Sequence, residues 1–380
     1  KGSYAFYLHE IEDLRDQERV IKLSTDDIKL LNPNTKTCPV FETREEAELT
    51  IKIYRQVGVL NDYSESGDSW GAELTRIFNT SDDSDLFYTK EELLKEGWEL
   101  KGNKFKKNGR SYFPLYEAKL VYQYDHRFAT FEGVDQDEAE NGNAIEMDND
   151  LKDDPNKYTI PRYWIHEKHL EDKNGADWNV GLRDITNATN ERTVISSAIP
   201  KAPTVNSLNL IKGVSAEQAL ILMACFNSYT LDFVARQKLS SARLGHYVVR
   251  QLPVPDPNYL EKISYDGLSV REVIEKASLA LTYTAHDLDG LVQDSNLSPD
   301  VYSFNQPNGQ EREDVRFELE AILCHVYGIE ESDFEILFNT FNQIKERDIE
   351  EHGYYRTRDK IKKRYKEMSD EIVINGEDTR

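Results

Sequence analysis

Between positions 178 and 200 the chain carries two apolar runs on either side of a polar centre. The apolar positions are Val180, Leu182, Ile185, Val194, Ile195, Ala198 and Ile199. The polar centre contains Asn187, Thr189, Asn190, Glu191, Arg192 and Thr193. This pattern predicts two strands that support a polar loop. Asn and Arg side chains on such a loop fit the edges of adenine and guanine, whereas the plainer interpretation is a hairpin loop without a ligand.

Apolar positions recur at helical spacing in several other segments. Thr43 and Glu46 form a capping-box pair at the start of a helix, and Ser215 can cap the clearest helix, at 215–238. Further helices are predicted at 90–96, 270–281, 312–327, 331–344 and 356–368. Short strands are predicted at 4–9, 19–23, 120–123 and 160–165, together with a Lys-rich hairpin at 101–112.

The order of these elements predicts an α+β fold, in which mixed short strands present loops and the C-terminal part is helical. A length of 380 residues suggests two or three domains. Prolines at 253, 255 and 257 mark one boundary. We therefore predict an N-terminal α+β segment at 1–85, a central domain at 86–257 and a helical domain at 258–380.

The formal net charge of −23 argues against nucleic acid as a partner, but the distribution of charge weakens that argument. Lys and Arg outnumber Asp and Glu in 86–130 and in 158–260, whereas the acidity lies in the flanks and in 131–157. Because screening acts over about 8 Å, a local basic surface can still attract DNA. The acidic segment 131–157 has the composition of a mobile loop.

Cysteine usage and hydropathy bear on the compartment. Cys38, Cys225 and Cys324 are odd in number and far apart, which predicts neither disulfides nor a Cys-x-x-Cys metal site, and favours a reducing cytoplasm. His166 and His169 lack a third metal ligand nearby, so no metal site is predicted. No run of about 18 apolar residues is present, so no membrane partner is expected.

Several motifs together resemble one protein family. They are Pro114-Leu115-Tyr116-Glu117-Ala118-Lys119, Asp125-His126-Arg127, Pro161-Arg162-Tyr163-Trp164, Arg183-Asp184-Ile185-Thr186, Asn190-Glu191-Arg192-Thr193, Arg236-Gln237-Lys238 and Gln251-Leu252-Pro253-Val254-Pro255. In this combination they resemble the C-terminal target-recognition region of bacterial adenine-specific (N6) DNA methyltransferases. These include Type IIG-like restriction-modification methylases and the methyltransferase of the DISARM phage-defence system. The chain departs from the family at Ser240-Ser241, where relatives often carry Gly-Gly.

The resemblance implies that 86–257 is a DNA target-recognition domain, and that 1–85 continues from a catalytic domain. The parent protein would flip an adenine and methylate it with S-adenosylmethionine. This chain has no Gly-rich cofactor turn and no Asn-Pro-Pro-Tyr motif, so no catalytic residue and no cofactor are expected in it. The implied partners are double-stranded DNA, the parent's own methyltransferase domain, and possible helicase or nuclease subunits.

The resemblance and the local charge together nominate a set of DNA-contacting residues. They are Lys104, Lys106, Lys119, Asp125, His126, Arg127, Arg162, Arg183, Asn187, Thr189, Asn190, Arg192, Arg236 and Lys238. Lysines and arginines in this set would contact phosphates, while the two polar loops would read base edges. The Arg183–Asp184 and Glu191–Arg192 neighbours could instead satisfy each other as structural ion pairs.

Two other functions stay open. Net acidity suits a protein-interaction module of a defence complex that holds a helicase or nuclease and barely touches DNA. Glu117 and Lys119 also match half of a magnesium-dependent nuclease site, although no partner acid precedes them at a suitable strand end.

Overall fold

A computed structural model describes residues 2–6, 8, 10, 13, 15–16, 18–63, 70–170, 176–239 and 241–374. The N-terminal elements are β1 (Gly2–Tyr4), β2 (Ile21–Leu23), α1 (Thr25–Leu31), α2 (Arg44–Gln56) and β3 (Glu73–Thr75). The central elements are α3 (Lys90–Lys95), β4 (Glu99–Lys101), β5 (Lys104–Lys107), β6 (Arg110–Pro114), β7 (Ala129–Thr130), α4 (Gln136–Glu140), β8 (Ile145–Glu146), α5 (Asn149–Lys152), β9 (Trp164–His166), β10 (Trp178–Arg183), β11 (Ser196–Pro200), β12 (Leu208–Lys212), α6 (Ala216–Asn227), α7 (Tyr229–Lys238) and α8 (His246–Val249).

The C-terminal elements are mainly helical. They are α9 (Pro257–Glu261), β13 (Ile263–Tyr265), β14 (Leu268–Ser269), α10 (Val270–Thr282), α11 (Asp289–Asp294), α12 (Arg312–Val326), α13 (Phe334–Asn339), α14 (Asn342–His352), α15 (Arg356–Met368) and β15 (Val373–Ile374). Helices and small antiparallel sheets occur together, which confirms the predicted α+β class.

The central sheet has the strand order β11-β10-β12-β3 and is antiparallel throughout. Successive side chains of a strand point to opposite faces, and nearly all those of β10, β11 and β12 are buried, so these three strands are covered on both faces. Val180 and Leu182 pack on the large core that contains α6, whereas Leu208 and Leu210 pack on a smaller cluster with Tyr116. Both predicted strands around the polar loop are therefore present.

Helices α6 and α7 form the centre of the large core. Ser215 caps α6 with a capping box that includes Gln218, as its place before an apolar run predicts. Helix α6 is apolar on all sides and almost wholly buried. Ser228 caps α7, so the single helix predicted at 215–238 is two helices bent by 67°. No single described helix is long and apolar enough to span a membrane, although this bent pair passes that test by length and composition.

The large hydrophobic core joins all three predicted segments. It contains Ile53 of the N-terminal segment, Leu222 of the central one and Ile322 of the C-terminal one. Strand β3, from the first segment, forms an edge of the central sheet beside β12. The largest of the hydrophobic clusters therefore spans the positions where boundaries were predicted.

Several local predictions are wrong. The strand predicted at 120–123 is a 3-10 turn at Ala118–Leu120 followed by a tight turn in which Tyr124 has a positive φ of 59°. The acidic segment 131–157 is structured, with α4, β8 and α5. The helix predicted at 331–344 divides into α13 and α14. The strand at 4–9 is replaced by β1 at Gly2–Tyr4, with residues 7 and 9 outside the described residues.

The turn between β12 and α6 should tolerate no side chain at Gly213. This glycine has a φ of +78°, and a Cβ there would lie 2.4 Å from the Gly71 carbonyl oxygen. We expect Gly213→Ala to lower the free energy of unfolding by about 2 kcal/mol or more, measured by urea denaturation. Gly267→Ala is the control, since its φ of +76° is similar but its Cβ would meet open space. Equal losses in the two variants would contradict the close-approach argument.

Candidate functional site

The polar loop (residues 187–193) is held from beneath by one buried carboxylate. Asp232 of α7 is fully buried, and its Oδ2 accepts hydrogen bonds from Arg192 Nε and Thr193 N at 2.9 Å each. Its Oδ1 accepts from Arg236 Nε, also at 2.9 Å. Burial disfavours the charge of Arg192, but Asp232, together with Tyr229 and Glu320, outweighs that cost and raises the arginine's pKa. One acid on a core helix thus fixes two arginines.

Arg236 ties the backbone of the polar loop to α7. Its Nη1 donates to the carbonyl oxygen of Ala188 at 2.6 Å, and its Nη2 donates to those of Asn190 at 2.7 Å and Glu191 at 3.0 Å. Nη1 also donates to the carbonyl oxygen of Thr340, between α13 and α14. Because these bonds use carbonyl groups only, they fix the course of the loop without occupying its side chains.

The loop's exposed groups are small and polar. Asn187, Thr189 and Asn190 are exposed, whereas Arg192 is only 3 % exposed. Asn187 Oδ1 accepts from the backbone N–H of Thr189 at 3.1 Å, which closes a local turn. Arg192 also donates to the Asn227 carbonyl oxygen at 2.6 Å. Its guanidinium is therefore enclosed and is not presented to a base edge in this conformation.

Charged residues that are adjacent in the sequence around the polar loop do not form ion pairs with each other. Glu191 pairs with Arg347 of α14 at 2.8 Å, and Arg192 pairs with Asp232 instead. The suggested structural pairs Glu191–Arg192 and Arg183–Asp184 are thus wrong. Arg183 donates through Nε to the Val121 carbonyl oxygen at 2.8 Å, and burial lowers its pKa to about 10.

Asp125-His126-Arg127 forms a buried connection to the C-terminal part. Arg127 is fully buried and donates to the carbonyl oxygens of Lys152, Asp154, Lys157 and Thr284. The neighbouring acid, Asp125, accepts from Lys152 Nζ at 2.7 Å, and His126 Nε2 lies 2.9 Å from Asp287 Oδ1. These three residues anchor the acidic segment and reach α11's flank, so none of them faces outward for DNA contact.

Glu117 is committed to an arginine. Both of its carboxylate oxygens accept from Arg162, at 2.7 and 2.9 Å. Lys119 donates to the Gly142 carbonyl oxygen, and burial lowers its pKa. In the described part of the chain, no group of three His, Cys, Asp or Glu side chains is arranged to hold a metal ion. The geometry thus gives Glu117 and Arg162 a structural pairing rather than the ligand set that the nuclease hypothesis needs.

The Lys-rich hairpin, built from β5 and β6, lies away from the polar loop. Lys106 is exposed, whereas Lys104 is half-buried with its Nζ 4.5 Å from the centre of the Phe113 ring. Burial lowers the pKa of Lys104, and Asp177 and Lys201 are among the charges that act on it. Those two residues flank the end of the β10–β11 pair opposite to the loop. A six-residue strand, about 20 Å long, separates the two features.

Lys238 is also engaged internally. Its Nζ donates to the Leu31 carbonyl oxygen and to Asn32 Oδ1, both at 2.6 Å. Burial lowers the pKa of Lys238 to about 7. This contact places the Asn32-Pro33 segment against the end of α7. Ser240, in the departure from the Gly-Gly pattern, lies outside the described residues.

The sequence analysis did not predict a second cluster, in which two arginines pair with one buried aspartate. Asp184, directly after β10, is fully buried; its Oδ1 accepts from Arg76 at 3.1 Å and its Oδ2 from Arg243 at 2.5 Å. Both arginines are exposed. They come from positions 108 and 59 residues away, so no local spacing indicates the pairing. We call Asp184, Arg76 and Arg243 the Asp184 cluster.

A cavity of about 380 Å³ lies between the polar loop, the turn at 122–128 and helices α12, α14 and α15. Its walls include the rings of Tyr122 and Tyr229 and the charged groups of Arg192, Arg316 and Glu320. Burial raises the pKa of Glu320 to about 7, although Arg192 and the Tyr229 backbone N–H, which donates to it at 2.8 Å, act in the opposite direction.

Comparison with known proteins does not identify a family for this chain. No protein-family model matches the chain, and no curated protein sequence matches it.

Asp232→Asn should destabilise the protein strongly. The substitution leaves Arg192 and Arg236 buried with a neutral partner, which costs about 3–5 kcal/mol in comparable buried pairs. Urea denaturation measures the loss, and Asp300→Asn, at an exposed position, is the control. A loss below about 1 kcal/mol for Asp232→Asn would show that the network does not hold the loop.

Glu320→Gln should alter the pH dependence of stability. With a folded pKa of about 7 and an ordinary value of 4.5, Glu320 binds its proton more tightly in the folded state. Stability from this group is complete below about pH 4.5 and is lost as pH rises through 7, by up to about 3 kcal/mol. Thermal unfolding should show Glu320→Gln gaining stability over wild type at pH 8 but not at pH 5. The exposed control, Glu350→Gln, should track wild type at both values; a pH-independent difference for Glu320→Gln would refute the shift.

Proposed function

We propose that this chain is the sequence-reading part of an adenine-specific (N6) DNA methyltransferase from a restriction-modification or phage-defence system. Another part of the parent protein would bind S-adenosylmethionine and transfer the methyl group. The chain itself would select the target sequence on double-stranded DNA, alongside its own methyltransferase domain and, in a defence complex, helicase or nuclease subunits.

The observation that carries the proposal is the construction of the polar loop. Its backbone is fixed by Arg236 through three loop carbonyl groups, while the side chains of Asn187, Thr189 and Asn190 stay exposed. Base readout needs donors and acceptors that keep their positions when the ligand is absent, because ordering them on binding would cost affinity. An Asn amide can donate to and accept from the edge of adenine at once.

The motif resemblance supports the proposal in a specific way. The motif residues Asp184 and Arg192, together with Arg236, form the internal frame around the loop rather than its exposed tip. A recognition module that must read different sequences would keep its frame and vary its exposed side chains. We therefore assign base contact to Asn187, Thr189 and Asn190, retain Lys106 as a phosphate contact on the separate hairpin, and give structural roles to Arg127, Arg162 and Arg192.

One observation favours a different function. The net charge of −23 suits a protein-interaction module whose partner carries a basic surface. Such a module would bind duplex DNA only weakly and without sequence preference, even as the unsubstituted protein. The two functions thus differ in a property that one binding experiment measures.

The test is selection from a randomised duplex pool at two salt concentrations, with wild type and Asn190→Ala. We expect wild type to enrich one motif, and Asn190→Ala to lose about 1–3 kcal/mol of discrimination at one position of it. The substitution keeps the backbone carbonyl that Arg236 uses, so the loop should stay in place.

The matched control is Asn143→Ala, an exposed asparagine in the acidic segment. It should enrich the same motif as wild type. If wild type enriches no motif even at low salt, sequence reading by this chain is refuted and the protein-interaction function is favoured.

A further inference from the structure

The Asp184 cluster gathers positive charge at the surface beside the polar loop. Arg76 follows β3, Asp184 follows β10, and Arg243 follows α7, so three separate elements bring the charges together. Asp184 is fully buried, and Asn209 Nδ2 also donates to its Oδ1, at 3.2 Å. The acid therefore acts as an internal support that orients two arginines, in the way that Asp232 orients Arg192 and Arg236.

The two arginines differ from those on Asp232 because they reach solvent. The side chains of Arg76 and Arg243 are 43 % and 49 % exposed, so part of each guanidinium is available to a ligand. The local field is positive even with Asp184 present. Burial lowers the pKa of His246, and Arg76 and Arg250 lower it further by more than Asp184 raises it.

Exposed apolar side chains border these arginines. Ile185 is 54 % exposed and forms an antiparallel bridge with Arg243. Tyr247 is 58 % exposed, and its ring lies so close to Gly245 that a Cβ there would be 2.9 Å from the ring. Its ring therefore lies against the backbone at Gly245, with more than half of the side chain exposed. Ile185 and Tyr247 thus add apolar surface next to the two arginines.

This surface continues into the polar loop. Ile185 and Asn187 are exposed while Thr186 between them is buried, so both side chains project from the same side of an extended segment. Thr186 N donates to the Ala242 carbonyl oxygen at 3.2 Å, and Leu244 N donates to that of Asp184 at 2.7 Å. The segment at 241–244 thus lies alongside the start of the loop.

We propose that Arg76, Arg243, Ile185 and Tyr247 form a second DNA-contacting surface that extends the polar loop along a DNA duplex. The two arginines contact backbone phosphates, and Ile185 and Tyr247 lie against base edges in the groove that the loop reads. This inference rests on the proposed function and adds to it a surface that positions the protein on the duplex. Phosphate contacts set the register of a protein on DNA, which the loop's small polar side chains cannot do alone.

Charge complementarity is the reason for choosing DNA over a protein partner. The chain as a whole is acidic and would repel a polyanion, but Asp184 and Arg243 lie in the segment 158–260, where Lys and Arg outnumber Asp and Glu, and in the cluster itself two arginines face one acid. Acidic side chains do follow Arg76 along the chain, at Asp82 and Asp83, where both accept hydrogen bonds from Asn79. Screening limits their reach to about 8 Å at physiological salt.

The experiment measures the affinity of the 380-residue chain for its enriched duplex over a series of salt concentrations. The variants are Arg243→Gln, whose amide can still donate to Asp184, and Tyr247→Ala. Arg243→Gln should weaken binding and reduce the slope of log K against log salt by about 1, because one phosphate contact is lost. Tyr247→Ala should weaken binding with an unchanged slope, because the ring carries no charge and makes no phosphate contact.

The controls match each variant in chemistry. Arg364→Gln removes an ion-paired arginine of α15, and Tyr354→Ala removes an exposed tyrosine between α14 and α15. Both should bind DNA as wild type does. Thermal unfolding of all four variants checks that each is folded before its affinity is compared.

The outcomes separate this inference from the proposed function. If wild type selects a motif but Arg243→Gln and Tyr247→Ala bind like their controls, the surface is refuted and the proposed function stands. If wild type shows no salt-dependent duplex binding, both are refuted. If polyglutamate, tested in parallel, binds with the same dependence on Arg243 and Tyr247 while duplex DNA does not, the surface serves an acidic protein partner and the inference is overturned.

Discussion

The buried carboxylate of Asp232 is the constraint on which the arrangement of the polar loop depends. It neutralises two arginines whose side chains are almost wholly buried, and those arginines hold the loop on one side and the α13–α14 junction on the other. Because charges buried without a partner are costly, the loop cannot change position without disturbing the helical part. The conformation of the polar loop and the packing of the helices are therefore energetically coupled.

A buried aspartate that binds two arginines occurs twice in the structure, and the two pairs of arginines differ in their exposure to solvent. Asp184 and Asp232 are both fully buried, and each accepts hydrogen bonds from two arginines. Around Asp232 the guanidinium groups are enclosed, so their donors end on carbonyl oxygens of the protein. Around Asp184 they reach the surface, and donors remain that can meet an external anion. Burial, rather than residue type, decides which arginine supports the structure and which can bind.

Local signals predicted much of the fold. The capping boxes at Thr43 and Ser215 and the apolar periodicity of α10, α12 and α15 depend on neighbours within four residues, so the sequence displays them directly. The strands on either side of the polar loop were visible for the same reason. Where alternation was too short to be decisive, as at 120–123, the turn geometry of Tyr124 determined the structure instead.

The candidate site was predicted less well, because its interactions join distant positions. Arg192 meets an acid 40 residues away, and Asp184 meets arginines 59 and 108 residues away. Motif resemblance drew attention to this segment but could not say which of its charged residues point inward. The resemblance and the local charge nominated Arg127 and Arg192 as DNA contacts, although a buried arginine that donates to several carbonyl groups looks the same in the sequence.

The position of β3 has a consequence for how this protein can be divided. Residues 73–75 pair with Leu210, Ile211 and Lys212 and thereby cover one edge of the central sheet. A protein beginning at residue 86 would leave the backbone N–H and C=O groups of β12 unpaired along that edge. Open strand edges next to apolar side chains pair readily with other chains. Shortened versions of this molecule would therefore be prone to self-association through β12. Such oligomers would result from the missing strand and would say nothing about the oligomeric state of the longer chain.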